Sequence, residues 1–547
     1  MSALQMMGMY ARFMVGLPAH LRRRISLEEA EAAIREGLAR REDNFLRIAR
    51  RGIYDNPHSP YLPLLEMAGC EYGDLEASVR ADGLEPTLEK LRREGVYVTF
   101  EEYKGRAPIV RGGRTIEVDE HAFDNPLASR AYEGETGGST GKATRVGTDL
   151  DNLFAHTPQL MIGRHVHGLL GHPSGMWKGQ LPDPVGVGIY LRHVVYRAHP
   201  ERWFTPVTRE DYRPPLRFRL ATWYILMTSR LMGVPCPRPE PVPLGEAVVI
   251  ARWMREAIDR GGGCTLSVAP SLAVRVCLAA ERAGIDLTGG SFHGGGEPFT
   301  PAKRAAIERV GARYVPIYVS EDTGPMGVPC VNPVEENDQH LLEDNLALIQ
   351  HPREVAGSGV EVDAFYFTSL RYKASKLLLN MESDDYGIVE ERACGCPLEQ
   401  LGYRRHVRRI RSFGKLTGEG VTLVGSEMVH ILEEVLPERF GGTPQDFQLL
   451  EEEDENGFAR LTLLAHPDLD IPREQDLIDT LLEAVREGSD AGGLAQSFWR
   501  QADTFRVRRQ APIWTARGKL PSIRVASLHD RPQPGREGRD ADPSASA

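Results

Sequence analysis

No stretch of this sequence is long and apolar enough to span a bilayer. The most apolar segment, around Ala221 to Leu226, lies between Arg219 and Arg230 and falls far short of the ~20 residues a spanning helix needs. A secretory leader is not expected either. Met1 to Leu17 is broken by Arg12, and the basic cluster Arg22-Arg23-Arg24 follows the apolar part instead of preceding it. This opening segment reads as an amphipathic helix packed on its own domain, in preference to one resting on a surface. Cysteine is sparse. Seven thiols (Cys70, Cys236, Cys264, Cys277, Cys330, Cys394 and Cys396) in 547 residues suit a reducing compartment better than a disulfide framework, so a cytoplasmic protein is expected. Basic residues are in deficit, with 66 Lys and Arg against 77 Asp and Glu and a net charge of −11. A main partner made of nucleic acid would need the opposite sign, whereas a small anion held in one basic pocket is compatible.

What is present is a globular balance, 41% hydrophobic and 26% charged, in a chain too long for one ordinary domain. A helix is expected over 26–51, where Ser26 and Glu29 form a capping box and Gly52 ends the pattern. From about residue 245 helix and strand alternate: a helix over 245–260, a strand at Thr265–Val268, a helix over Ser271–Ala283 and a strand at Leu287–Phe292. A helix capped by Thr300, with Pro301 at its first position and Gly311 after it, precedes a strand over Tyr314–Val319. Such alternation implies a mostly parallel sheet with ligands beyond the carboxyl ends of its strands. After about residue 411 the pattern changes to strand and helix (Val421–Leu436), a hairpin at Asn456-Gly457, a helix over 473–487 and a strand at Phe505–Arg508. The predicted class is therefore α/β, with a large N-terminal domain (1–410) of mainly parallel sheets and a small mobile α+β domain (411–529). Residues 530–547, rich in Pro, Gly, Arg, Asp and Ser, are expected to be disordered.

Four segments carry chemistry. Thr136-Gly137-Gly138-Ser139-Thr140-Gly141-Lys142 concentrates N–H and O–H donors around one cation, as a polyphosphate requires, or is a flexible surface turn. It is not a Walker A loop, because Thr136 stands where the first Gly belongs and Ala143 follows the lysine. Gly294-Gly295-Gly296-Glu297-Pro298 follows a predicted strand, and its glycines would let a flat ligand lie against the backbone; alone it reads as a strand-to-helix turn. Tyr318 to Gly324 places Glu321 and Asp322 at a strand end, as Mg²⁺ ligands or as a solvated acidic loop. Thr515-Ala516-Arg517-Gly518-Lys519 sets a lysine on a short glycine loop that could swing into a site formed by another domain. Cys330 and His340 with Cys394-Gly395-Cys396 make either a closed Cys₃His zinc site or a set of buried free thiols. The basic run Arg404-Arg405-His406 with Arg408, Arg409 and Arg411 reads as a solvated strand. His165, His167 and His172 read as residues of a helix face or pocket.

Taken in order over roughly residues 55 to 525, these motifs resemble the adenylate-forming superfamily of acyl-CoA synthetases, and most closely its phenylacetate-CoA ligase branch. The resemblance implies that residues 136–142 (Thr136, Gly137, Gly138, Ser139, Thr140, Gly141 and Lys142) hold phosphates. Gly295, Gly296, Glu297 and Pro298 would form the adenine loop, with Tyr318 packed on the base. Asp385 would bind the ribose, Arg411 would be the arginine near the hinge, and Lys519 would be the adenylation lysine. Mg²⁺ falls to Glu321 or Asp322, and the branch favours structural zinc at Cys330, His340, Cys394 and Cys396. The sequence departs from the family at Val319-Ser320, at Ala143, where proline is usual, and around Phe413-Gly414-Lys415, where hinge acids are usual. The implied activity is AMP-forming activation of a carboxylic acid with ATP, then thioester formation with coenzyme A. The alternatives are transfer to a carrier-protein thiol or a non-thiol acceptor, or a catalytically dead ATP-binding scaffold. The expected partners are a small carboxylic acid, ATP and coenzyme A, with no nucleic acid and no membrane span; a homodimer is one option for the assembly.

Overall fold

A computed structural model describes residues 3–525 except 120, 129–131, 136–144, 207–213, 321, 355–360, 413–414, 419–420, 488–495, 497–498, 515–519 and 521. A six-stranded sheet, parallel throughout, runs in the order Arg313–Pro316, Gly290–Gly294, Cys264–Ser267, Ser174–Trp177, Arg202–Thr205, Pro239–Pro241. Its connecting helices include Val248–Gly261, closed by Gly262 in the left-handed region, and Pro270–Arg282. The strand expected at Leu287 begins at Gly290 and runs on to Gly294, while Leu287 is buried in the approach to it. The helix Pro301–Glu308 starts as expected, with Thr300 capping the Lys303 N–H and Pro301 at the first position.

The single strand predicted over Tyr314–Val319 divides. Arg313–Pro316 belongs to the parallel sheet, and after Ile317 the chain enters a second sheet at Tyr318–Ser320. That sheet is antiparallel and seven-stranded: Tyr318–Ser320, Gly324–Pro329, Gln339–Leu341, Arg405–Ser412, Met381–Glu391, Glu361–Ser369, Leu346–Glu354. Its buried face packs on N-terminal helices through Leu46, Ile53, Leu84, Leu88, Leu348 and Phe367.

The expected 26–51 helix is present in pieces. Ser26 and Glu29 close the capping box, but the helix stops at Ala39 because Arg40 leaves helical backbone (φ −109°, ψ 14°). A second helix, Arg41–Ile48, widens into a π-turn over Ala49–Tyr54. Gly52 lies inside this turn rather than ending it. A Cβ there would come within 2.4 Å of Leu377 Cδ1, so close packing against the loop before Met381 explains the glycine. The N-terminal helix Ala3–Arg22 buries Met9, Phe13, Leu17 and Leu21 at helical spacing against its own domain, as expected.

A small C-terminal domain is built on the sheet Phe505–Arg509, Ala459–Ala465, Phe447–Glu453, Ile523–Val525. Its first hairpin turns at Gly457 (φ 81°), where the Asn-Gly signal placed it, and the helix Glu474–Glu487 covers one face. It shares a core with the parallel-sheet layer through Ala247, Ile250, Leu449, Leu461 and Trp499. The expected disordered tail from 530 lies outside the described residues. Among the described residues no helix is long and apolar enough to cross a membrane.

Candidate functional site

The site is built where the two sheets meet. Gly294 ends its parallel strand, and its carbonyl accepts from the Ile317 N–H at 2.9 Å. A Cβ on Gly295 would lie 2.1 Å from the Ile317 carbonyl oxygen, and Gly296 has φ 97°, so side chains are excluded at both positions. The loop therefore lies flush against the segment that carries Tyr318. Glu297 pins it from behind. Its carboxylate accepts from the Ser271 N–H at 2.8 Å, from the Ser271 hydroxyl, and from the Lys303 ammonium at 3.1 Å. Glu297 and Lys303 side chains are 1% and 4% exposed. Both oxygens of Glu297 thus serve as an anchor for the loop.

Across from the loop, Tyr318 donates its hydroxyl to Asp385 Oδ2 at 2.7 Å, and Ser412 donates to Asp385 Oδ1 at 2.6 Å. Strand register enforces the meeting, since Asp385 pairs with Ser412 and Tyr386 with Arg411 on the adjoining strand. Burial pushes the Tyr318 phenol far above its ordinary pKa, and the Asp385 charge adds to this. The Tyr318 hydroxyl therefore keeps its proton and stays a donor. Ser412 was not foreseen; nothing in the sequence separates it from other serines, and only the register brings it to Asp385.

Asp322 forms an ion pair with Lys104 at 3.0 Å, with side chains 15% and 11% exposed. The following Gly324 has φ 76°, and a Cβ there would meet the His156 ring at 2.5 Å. Burial drives the His156 pKa well below 6.5, and among the described residues its Nε2 has no hydrogen-bond partner. Residues 136–142, Glu321 and Lys519 lie outside the described residues. The strands flanking the first of these, Tyr132–Glu135 and Arg145–Thr148, pair as an antiparallel hairpin.

Of the four residues expected at a zinc site, Cys330, His340 and Cys394 converge, and His406 joins them where Cys396 was expected. Cys330, His340, Cys394 and His406 each offer a ligand atom within 4.8 Å of the others. Cys396 Sγ lies 3.1 Å from His340 Nε2, and Cys394 Sγ 3.6 Å from the same nitrogen. His340 Nδ1 donates to the Tyr403 carbonyl at 3.1 Å, which leaves Nε2 as the lone-pair nitrogen facing the thiols. Cys330 donates to Cys396, so the Cys396 thiol is pulled down toward thiolate and the Cys330 thiol is pushed up. Three sulfurs around one imidazole nitrogen are a donor set of the tetrahedral zinc type. His406, read from sequence as part of a solvated basic strand, is fully buried instead, with its ring 4.1 Å from that of His340. Its Nδ1 contacts Asp338 at 2.8 Å, and among the described residues its Nε2 has no hydrogen-bond partner.

The three histidines singled out in sequence do not gather. His165 is exposed, His167 contacts the Pro329 carbonyl at 2.9 Å, and His172 contacts the Gly261 carbonyl at 3.2 Å. Their neighbour Arg164 is 1% exposed, and among the described residues no guanidinium nitrogen of it has a hydrogen-bond partner. Burial first, then this charge, lowers the pKa of His193 and brings that of His293 to about 3.

No family model and no curated protein matches the sequence. Among solved structures, a 2-hydroxyisobutyryl-CoA ligase in complex with 2-HIB-AMP and CoA is similar with TM-score 0.51 and 15% identity, covering 92% of this chain and 91% of that one. The amide bond synthetase McbA from Marinactinospora thermotolerans gives TM-score 0.38 at 12% identity (90% and 98% covered). The anthranilate CoA ligase AuaEII in complex with anthranoyl-AMP gives 0.32 at 12% (81% and 72%). The first of these likenesses carries the fold, a large α/β body followed by a small C-terminal domain, as in that ligase.

Proposed function

We propose that the protein is an ATP-dependent ligase that activates a carboxylic acid as its acyl-AMP and transfers the acyl group to coenzyme A. One observation carries the reading: a side-chain-free loop, Gly295-Gly296, lies against the segment leading into Tyr318, whose hydroxyl meets Asp385 at 2.7 Å. A flat base fits against such a loop beside an aromatic ring, and a carboxylate at the same edge suits vicinal ribose hydroxyls. Pro298 closes the loop, and Arg411, which the sequence resemblance assigns to the hinge, pairs with Tyr386 one register step from Asp385.

In the reaction, a carboxylate oxygen of the acid attacks the α-phosphorus, the bond to the bridging oxygen breaks, and pyrophosphate leaves. The obstacle is repulsion between anions, so donors and cations fixed in place do most of the work. We assign the β- and γ-phosphates to Thr136 through Lys142 and the transition-state charge to Lys519. Mg²⁺ would neutralise phosphate charge; because Asp322 already faces Lys104, Glu321 is the acid we assign to it. A thiolate of coenzyme A then attacks the acyl carbon and AMP leaves. The C-terminal domain, which we place at 411–529, carries Lys519 and would turn between the two steps. The Cys330, His340, Cys394, Cys396 set would hold structural zinc, tying the strand after the acidic loop to the strand that supplies Asp385. The phenylacetate-ligase branch rests on the sequence resemblance, and an aryl or arylacetic acid is the substrate class it suggests.

ATP–pyrophosphate exchange tests the reading, with Mg²⁺, a panel of aryl, arylacetic and fatty acids, and Lys519→Ala as control. Exchange that needs one acid and disappears in the variant is expected, followed by thioester when coenzyme A is added. Acid-dependent exchange without thioester would redirect the second step to a carrier protein or a non-thiol acceptor. Absence of ATP binding would overturn the assignment.

A further inference from the structure

The helix Leu216–Leu231 is amphipathic in the wrong sense for a soluble domain. Leu216, Leu220, Trp223, Met227 and Leu231 recur at four-, three-, four- and four-residue steps and are 64, 56, 59, 39 and 80% exposed. The inward face carries Phe218 and Ile225 but also Thr228 and Ser229, so polar residues are buried while leucines and a tryptophan face water. At 1.5 Å per residue the stripe is roughly 22 Å long. It is widened by the N-terminal helix, which exposes Met14 (49%) and Val15 (80%). Tyr224 donates its hydroxyl to the Met14 carbonyl at 2.7 Å and fastens the two helices together. A contiguous apolar face of this kind marks an interaction site rather than ordinary surface scatter.

The charge around it selects the occupant. The chain carries −11 overall, yet Met1–Leu27 holds Arg12, Arg22, Arg23 and Arg24 with no acidic residue, and Pro214–Pro239 holds Arg217, Arg219, Arg230 and Arg238 with none. Asp151, on the helix Leu150–Ala155 packed against the N-terminal helix, is occupied by Arg23 (2.5 Å) and Lys373 (2.7 Å). A second copy of the same face would set these arginines against their own kind. We propose that this two-helix face docks on an anionic lipid surface. The helix would lie flat, Trp223 and the leucines would enter the headgroup boundary, and Arg217, Arg219 and Arg230 would pair with phosphates. Docking of this type is interfacial and needs no spanning segment, and it stands independently of the adenylation reading.

The test is co-sedimentation of the full chain with phosphatidylcholine vesicles, with and without about one third phosphatidylglycerol, at low and high salt. Binding to the anionic vesicles at least ~10-fold stronger than to the neutral ones, and weakened by salt, is expected. The double variant Leu220→Glu, Trp223→Glu should lose ~10-fold or more, and Arg217→Glu, Arg219→Glu should lose the preference for anionic lipid. Because all four side chains face solvent, melting temperature and ATP binding should stay unchanged, which separates lost docking from misfolding. Failure of the native chain to pellet, equal binding to both vesicle types, or unchanged binding by the variants would each overturn the proposal. So would a dimer in sedimentation velocity that the Glu variants dissociate, since the face would then belong to a second copy.

Discussion

Replacing Glu297 with glutamine should destabilise the protein by about 3–5 kcal/mol and weaken ATP binding in the same variant. The carboxylate and the Lys303 ammonium are 1% and 4% exposed and 3.1 Å apart. Glutamine keeps an oxygen for the Ser271 donors but, among the described residues, leaves the ammonium only the Pro298 carbonyl, at 2.9 Å. The cost is therefore mostly that of a buried cation without its counter-charge, and the lower end of the range applies. A cooperative melt of all 547 residues carries an unfolding entropy of roughly 1.1 kcal/mol per kelvin. The melting temperature should then fall by about 3 °C, and further if the parallel-sheet layer melts as a smaller unit. Adding Lys303→Met to the Glu297→Gln variant removes the stranded charge and should recover at least half the loss. Calorimetry on the two single variants and the double variant reads all of this. A Glu297→Gln protein that melts with the native one, or a double variant worse than the Glu297→Gln single, would show that the pair does not anchor the loop.

Other outcomes follow from the same geometry. Asp385→Ala should weaken ATP binding about 10-fold or more, as loss of a charge-assisted acceptor implies, whereas Ser412→Ala, which removes only a supporting donor, should cost less; titration calorimetry with ATP separates them. Purified protein should contain one zinc per chain by elemental analysis, and Cys330→Ser or Cys394→Ser should lose it with a fall in melting temperature. Arg164→Met should leave stability unchanged or raise it by about 1–4 kcal/mol, because the guanidinium is buried without a hydrogen-bond partner among the described residues; destabilisation would mean that an anion or ordered water compensates it. His193 and His293 are held neutral in the fold, with pKa values below 6.5 and, for His293, about 3. Between those values the unfolded chain binds the extra protons, so stability is fully present above about pH 6.5 and falls as pH drops toward 3. Arg164→Met should shallow that slope in acid denaturation.

Local signals in the sequence placed much of this molecule. The Ser26–Glu29 box, the Thr300-Pro301 start, the Asn456-Gly457 turn and the parallel alternation between 264 and 316 are each set by residues close together in the chain. Part of the thiol–imidazole cluster was legible, since thiols are few and the spacing singled out Cys330, His340 and Cys394. The antiparallel sheet was not legible, because its strands pair across up to some tens of residues and their register is settled only when all seven assemble. Ser412 and His406 were missed for that reason. Each acquires its role from a strand partner, Asp385 in one case and Gln339–His340 in the other. Arg164 is buried by packing that no local signal in the sequence marks. The inverted helix 216–231 read as merely apolar, because a sequence does not say which face meets water.

One helix start serves two tenants. Thr300 donates its hydroxyl to Glu453 of the C-terminal domain, and the turn at Gly457 lies so close to Lys303 that a Cβ there would come within 2.6 Å of its Cγ. The same Lys303 holds Glu297 and with it the glycine loop. Docking of the small domain and the posture of the loop are therefore linked equilibria with a common element. Linkage is reciprocal: whatever factor a loop-bound ligand applies to docking, docking applies to the ligand's affinity. Weakening the Thr300–Glu453 contact by about 1 kcal/mol should thus register as a change of up to about fivefold in ligand affinity at a loop that the substitution never touches.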